Sequence, residues 1–331
     1  MSVKKAIGIA KEYTIFFIII ILGIIFTLGN PSFLTWKNVV TILRQSCIMG
    51  ILGMGEMALI IVGGLNLSMG SCVALSTVLL AVMTVNMGVP WGLALIITIL
   101  VNVCIGFLTG VVINKTKIIP MIGTLAISNM ISGIAYIICN GLPISGFPTQ
   151  LRYFYQGTVG ILPMPIIIAA VVVILMGVVF KFTYFGRRLF ATGSNREAAR
   201  LSGINADRIV VTAYTICGAM CGIAGLLMLG RMGSGAANVG TTLDMDVLAA
   251  LVIGGVSMMG GEGKVTKAVC GIVLITMLTN GMTLNGINDY VQKVVTGGVF
   301  LLAVVLDSYQ HGNFVLMRHL KPMNKEEKAN A

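Results

Sequence analysis

The sequence predicts an all-α polytopic integral membrane protein with about ten transmembrane helices, N-in and C-in, and three observations predict it. Hydrophobic residues make up 57% of the 331 positions and charged residues only 10%, which leaves too little polar surface for a water-soluble globule of this size. Apolar runs of about 17–25 residues recur from end to end, each able to cross a hydrocarbon core of about 30 Å as a helix. The basic residues are also distributed unevenly between the segments that separate those runs.

Candidate spans are read at 13–29, 39–62, 67–87, 91–113, 118–139, 162–183, 209–230, 244–260, 268–284 and 291–307. The first run follows Lys4, Lys5 and Lys11. It is longer than a signal-peptide core and no small-residue cleavage site follows it, so it is expected to be retained as a span. With the N-terminus inside, only Lys37, Arg44, Arg152, Arg231 and Lys293 fall outside, leaving seventeen of the 22 Lys and Arg residues at the cytoplasmic face. That bias is what the positive-inside rule expects. It accounts for the net charge of +11 without nucleic acid, which would need a basic face with aromatics or a known motif. The whole chain, 1–331, therefore reads as one transmembrane domain, with a cytoplasmic segment at 184–208 and a cytoplasmic tail at 308–331. The seven cysteines lie almost entirely in apolar runs, where a thiol acts as a small hydrophobe, so neither disulfides nor a metal site are expected. A search for an internal repeat fails, because the matching glycine and Asn-Gly pairs sit at unequal offsets.

Two glycine-rich breaks interrupt the hydrophobic pattern. Gly63-Gly64-Leu65-Asn66-Leu67-Ser68-Met69-Gly70-Ser71 is uncharged, and Gly254-Gly255-Val256-Ser257 through Gly263 has similar chemistry. Non-helical backbone at membrane depth must be buried in protein or line a wet cavity. The breaks are thus either part of a path through the membrane or tight inter-helix turns whose glycines allow close packing. Ser194, with Glu197 three residues on, reads as a capping box, and Gly203 as the left-handed stop of a short helix over 194–203. A solvated basic loop is the alternative, but it would explain the charges and not the caps.

At these residues the chain resembles the ribose/xylose/arabinose/galactoside class of ABC-importer permeases. The first break is similar to that family's GGIDLSVGS signature, residues Asp244 to Gly255 to its ELDAIAAVVIGG, Gly186-Arg187-Arg188 through Ile204 to its GR…A.GGN..AARLSGI, and the last span, with Gly297, Ala303 and Asp307, to its ending. Asn66 stands where the family has Asp, which keeps an acceptor and removes a charge.

The resemblance implies a permease subunit in the bacterial inner membrane that carries a neutral sugar and is not itself an enzyme. It implies three partners: a cytoplasmic ATP-binding-cassette ATPase, an extracytoplasmic substrate-binding protein, and a second permease copy or paralogue. The chain has no G-x-x-x-x-G-K-[ST], so ATP is expected on the partner and no cofactor on this chain. Ser194, Asn195, Arg196, Glu197, Ala198, Ala199, Arg200 and Gly203 would form the ATPase-coupling helix, the two alanines allowing close approach and the two arginines reaching acidic groups. Gly63, Gly64, Asn66, Ser68, Ser71, Gly254, Gly255, Asn129 and Asn280 are expected along the path, and Arg152 and Arg231 at the docking face for the binding protein. The neutral polar residues inside the spans, such as Asn102, Thr109 and Thr276, suit sugar hydroxyls better than ions.

Glu56 lies inside the second span, where a charge costs roughly 2.5–3.5 kcal/mol or more. It is expected to serve either as a bonded structural group or as a proton site. Asp244 and Asp246 are expected to open the eighth span at the outer interface, where a helix N-terminus favours anions. Two other functions remain open: an ABC permease for nucleosides, a furanosyl signal or branched-chain amino acids, and a secondary transporter using Glu56.

Overall fold

The computed structural model describes the backbone of residues 3–310 and the side chains of residues 15–305. Lys4, Lys5, Lys11, Asp307 and the basic tail fall outside the described side chains.

Thirteen α-helices follow one another in this region. Helix α1 spans Val3–Gly29 and leads through a 3₁₀ turn, Pro31–Leu34, into α2, Trp36–Ile61. After the first break come α3, Met69–Ala81, a π-helical turn at Val82–Asn86, α4, Trp91–Thr116, and α5, Pro120–Cys139. A connection holding α6, Thr149–Gln156, and a two-residue hairpin of β1, Thr158–Val159, with β2, Leu162–Pro163, leads to α7, Met164–Phe182. Next are two short helices, α8, Tyr184–Ser194, and α9, Arg196–Leu201, then α10, Ala206–Met232, α11, Leu243–Ile253, α12, Val265–Leu284, and α13, Asp289–Gln310. Among the described residues, seven helical stretches are long and apolar enough to cross a membrane: α2, α3 with its π turn, α4, α5, α7, α10 and α12. The chain is an all-α, multi-pass membrane protein.

Helix α2 is the central post. In its most apolar window 89% of residues are buried, against 28% for α5 and for α7, so the latter two have most of their surface free for lipid. Helices α4 and α10 pack most intimately, because each carries a small-xxx-small pair, Gly106 with Gly110 and Gly218 with Gly222. A Cβ on Gly218 would overlap the Asn102 carbonyl, and one on Gly106 the Tyr214 carbonyl. This close backbone approach is how helices associate when burial away from water supplies no driving force.

The span expected at 244–260 is corrected. Helix α11 has only 11 residues, about 16 Å, roughly half a bilayer core. The remaining distance is covered by a non-helical strap, residues 233–242, laid antiparallel along α3. Gly235 packs on Thr77 and Ala81, the Ala236 N–H donates to Thr77 Oγ1 at 3.3 Å, and Gly240 meets Gly70. The position of Asp244 is corrected for the same reason. Its Oδ1 accepts from the Gly70 N–H at 2.7 Å, holding the start of α3 well below the end of α10. A strap at that depth is tolerated because protein buries it.

The described basic residues separate by end. Lys115, Lys117, Lys181, Arg187, Arg188, Arg196, Arg200, Arg208, Lys264 and Lys267 gather with α8 and α9 at one end of the bundle, while Lys37, Arg44, Arg152, Arg231 and Lys293 lie toward the other.

Candidate functional site

Helix α2 ends where Gly63, at φ +75°, turns the chain back. The Gly64 N–H donates to the Leu59 carbonyl at 2.8 Å and the Gly63 N–H to Ile60 at 2.9 Å, the paired bonds of a Schellman stop. The rising chain then finds specific partners for three of its backbone groups. The Asn66 N–H donates to Glu56 Oε1 at 3.0 Å, the Leu67 N–H to Thr124 Oγ1 at 3.1 Å, and the Leu65 carbonyl accepts from the Tyr214 hydroxyl at 3.0 Å. Asn66 Oδ1 accepts from both the backbone N–H of Ser68, at 3.0 Å, and its hydroxyl, at 2.6 Å, while its Nδ2 donates to Cys217 Sγ at 3.3 Å. Cys217 lies eleven residues into α10, so this cluster sits about 16 Å in from the basic end. Glu56 is fully buried and forms no ion pair among the described residues. Its geometry is that of a bonded group anchoring the break.

The second break is built alike. Gly255 takes φ +74°, its N–H donates to Val252 at 2.8 Å, and the Val256 N–H reaches the Leu251 carbonyl at 3.0 Å. Beyond it the chain returns to the first break: the Gly261 N–H donates to the Ile61 carbonyl at 2.8 Å. Gly193, near the end of α8, fits into the same point. A Cβ there would overlap the Ile61 carbonyl and lie 2.7 Å from the Gly261 nitrogen. The two breaks and the basic-end segment therefore meet at one crowded contact.

Within that segment the capping residue is corrected. The cap of α9 is Asn195, whose Oδ1 accepts from the Ala198 N–H at 2.9 Å. Ser194 instead closes α8, its hydroxyl donating to the Phe190 carbonyl at 3.0 Å, so the Ser194–Glu197 capping box does not form. Asn serves the cap equally well, and it lies one position nearer the helix. Gly203 does take the left-handed stop, at φ +79°, with the Ile204 N–H bonded to Ala199 at 3.0 Å. Arg196 stays exposed while it pairs with Asp207 at 2.7 Å and bonds Asn114 at 2.8 Å. Ala199 is buried against the body of the protein. Every residue of the helix but Ala199 is exposed, namely Arg196, Glu197, Ala198, Arg200 and Leu201, and Leu201, at 89% exposure, is a residue that sequence reasoning missed. Its signal was an apolar residue in a six-residue helix otherwise rich in charge.

The other expected residues scatter. Ser71 bonds Ser128 at 2.8 Å, whereas the neighbouring Asn129 faces outward from the bundle. Asn280 accepts from Asn38 at 2.9 Å and lines a polar cleft at the end opposite the basic one. Arg231 lines the same cleft, and Arg152 rests its guanidinium over Phe147, 5.8 Å from the ring centroid.

Broken helices at membrane depth, a polar cleft opening at one end and a projecting capped helix at the other are the parts of a membrane transport subunit. Residues 38–304 match the family described as the permease component of the branched-chain amino acid transport system, and the chain belongs to that family. It is 35% identical to the ribose import permease protein of Bacillus subtilis over 91% of this chain and 94% of that one. It is 33% identical to the galactose/methyl galactoside import permease protein of Haemophilus influenzae, over 93% and 97%, and 32% identical to that of Escherichia coli, over 94% and 98%. No solved structure gives a significant match.

Proposed function

We propose that this chain is the translocation subunit of an ATP-binding-cassette importer for a neutral sugar, crossing the bacterial inner membrane about ten times with both termini inside. The relatives named for ribose and galactose import support the sugar class. The strap 233–242 together with α11 supplies one crossing in this reading, and α1 and α13 two more.

The observation that carries the proposal is α9: six residues capped by Asn195, stopped by Gly203, and offering Leu201 and Arg200 to solvent at the basic end. An exposed leucine on so short and well capped a helix suits insertion into a groove on a cytoplasmic ATPase, with Glu197 and Arg200 on the rim. The contact of Gly193 with Ile61 and Gly261 then links the ATPase to both breaks. A second permease copy is supported by Asn129, exposed nine residues into α5 between the small residues Ala126 and Gly133. A bare amide at that depth is costly in lipid and suits a helix–helix contact. Arg231 and Arg152, exposed at the far end, would steer an acidic binding protein.

The test is Leu201→Asp together with Ala198→Trp. Neither site lies in a span, so both variants should insert normally yet lose co-purification with the ATPase or lose substrate-stimulated ATP hydrolysis. Wild-type assembly and stimulation in both would remove α9 as the coupling element.

A further inference from the structure

We propose that the cleft at the start of α11 is the chamber in which a sugar is held during its passage, with Asp246 as the residue that accepts its hydroxyls. The inference rests on the sugar-importer reading and deepens it.

Two adjoining cavities, about 470 Å³ and about 350 Å³, share Thr241, Thr242, Asp246, Thr279 and Gln292. Each is of the size that encloses a small ligand. Their walls come from α2, the end of α10 with Arg231, the end of the strap, α11, α12 and α13, so the chamber sits where a half-length helix begins. Helices interrupted at membrane depth place helix termini and polar groups where no continuous helix can. Thr276 and Leu284 lie eight residues apart on α12, so the chamber reaches about 12 Å down from the end of that helix.

The chemistry of the walls matches a carbohydrate. A sugar presents hydroxyls around its edge and C–H groups on its faces, and needs both hydrogen-bonding groups and apolar surface. The upper wall supplies neutral hydroxyls and amides, Thr242, Thr279, Asn280 and Gln292. Deeper, Met49 and Ile48 on one side and Phe300 on the other supply apolar contact. Thr279 spends its hydroxyl hydrogen on its own helix, donating to the Ile275 and Thr276 carbonyls at 3.1 Å, so toward the chamber its oxygen is an acceptor only. Asp246 is acceptor-only as a carboxylate and can receive two neighbouring hydroxyls at once. Hydrogen bonds to a charged acceptor are about twice as strong as neutral ones, which makes Asp246 the residue that orients the sugar. Lys293, which also lines the larger cavity, compensates the carboxylate.

The experiment uses the chain reconstituted in proteoliposomes with its ATPase and binding protein, and a panel of neutral pentoses and hexoses as probes. If the wild type imports none of them, the sugar-importer reading fails before this inference is reached. With a sugar that is imported, Asp246→Asn should lower import per assembled complex about tenfold or more. In a cysteine-free background, Thr279→Cys should react with a small methanethiosulfonate, and its labelling should slow when turnover is fed with that sugar. Unchanged import by D246N, or labelling of T279C at the same rate with and without the sugar, overturns the assignment.

Discussion

Glu56 and Asn66 hold the first break through their oxygens. Glu56 offers one oxygen to the Asn66 N–H, and the Asn66 side chain does its work through Oδ1, which holds both donors of Ser68. Both tasks need an acceptor and neither needs a charge. Glu56→Gln should therefore keep import and melting temperature close to wild type, whereas Glu56→Ala strands the Asn66 N–H and should cost about 1–3 kcal/mol, seen as a melting point a few degrees lower in detergent. Loss of import in E56Q at normal stability would restore the proton-site reading. Asn66→Asp preserves the acceptor but brings a second carboxylate beside a buried one. It should fold less stably than the parent at neutral pH, and Asn66→Leu should be worse still because the Ser68 donors lose their partner.

One helix-stop motif recurs five times among the described residues, at Gly63, Asn140, Gly203, Gly255 and Gly286. Each ends a helix in the left-handed region with the same pair of backward bonds. Substituting a β-branched residue at Gly203 should cost 1 kcal/mol or more, since a Cβ disfavours that conformation. Melting and limited proteolysis of the 184–208 segment would measure it. The Gly193 contact makes a different demand, on space and not on φ. Gly193→Val must push apart the Ile61 carbonyl and the Gly261 nitrogen, so it should uncouple ATP hydrolysis from import even where assembly with the ATPase persists. Import and hydrolysis that fall together in proportion to the amount of complex would show a folding defect alone.

Across the whole molecule, the segregation of charge is the ground on which both termini are predicted to lie inside. Ten described lysines and arginines share the α8–α9 end, and cytoplasmic loops carry the excess of positive charge. With single cysteines in a cysteine-free chain, a probe at Ser194 should react only from the cytoplasmic side and one at Gln150 only from the periplasmic side. The opposite pattern would invert the topology. Arg152→Glu with Arg231→Glu should raise the concentration of binding protein needed for half-maximal ATPase stimulation, because rim charges act mainly on encounter. An unchanged requirement would free those residues from docking.

The sequence by itself determined what depends on composition and on neighbours along the chain. The all-α membrane class followed from apolar runs, the uneven charge from Lys and Arg positions, and the stop at Gly203 from residues within one turn of it. The tertiary structure decided what depends on groups far apart in the chain. A span was expected at 244–260 because apolar residues continue there, yet helix forms only from Leu243 to Ile253. The strap before it is stabilised by α3 and Gly70, more than 150 residues away, and no local signal carries such a partner. The cap fell on Asn195 and not Ser194 because both residues can cap, and the choice belongs to the packing of α8 on the bundle. Ala199 turned inward and Leu201 outward for a related reason: a six-residue helix has no amphipathic period long enough to read, so only the body it packs against decides which face is left for a partner.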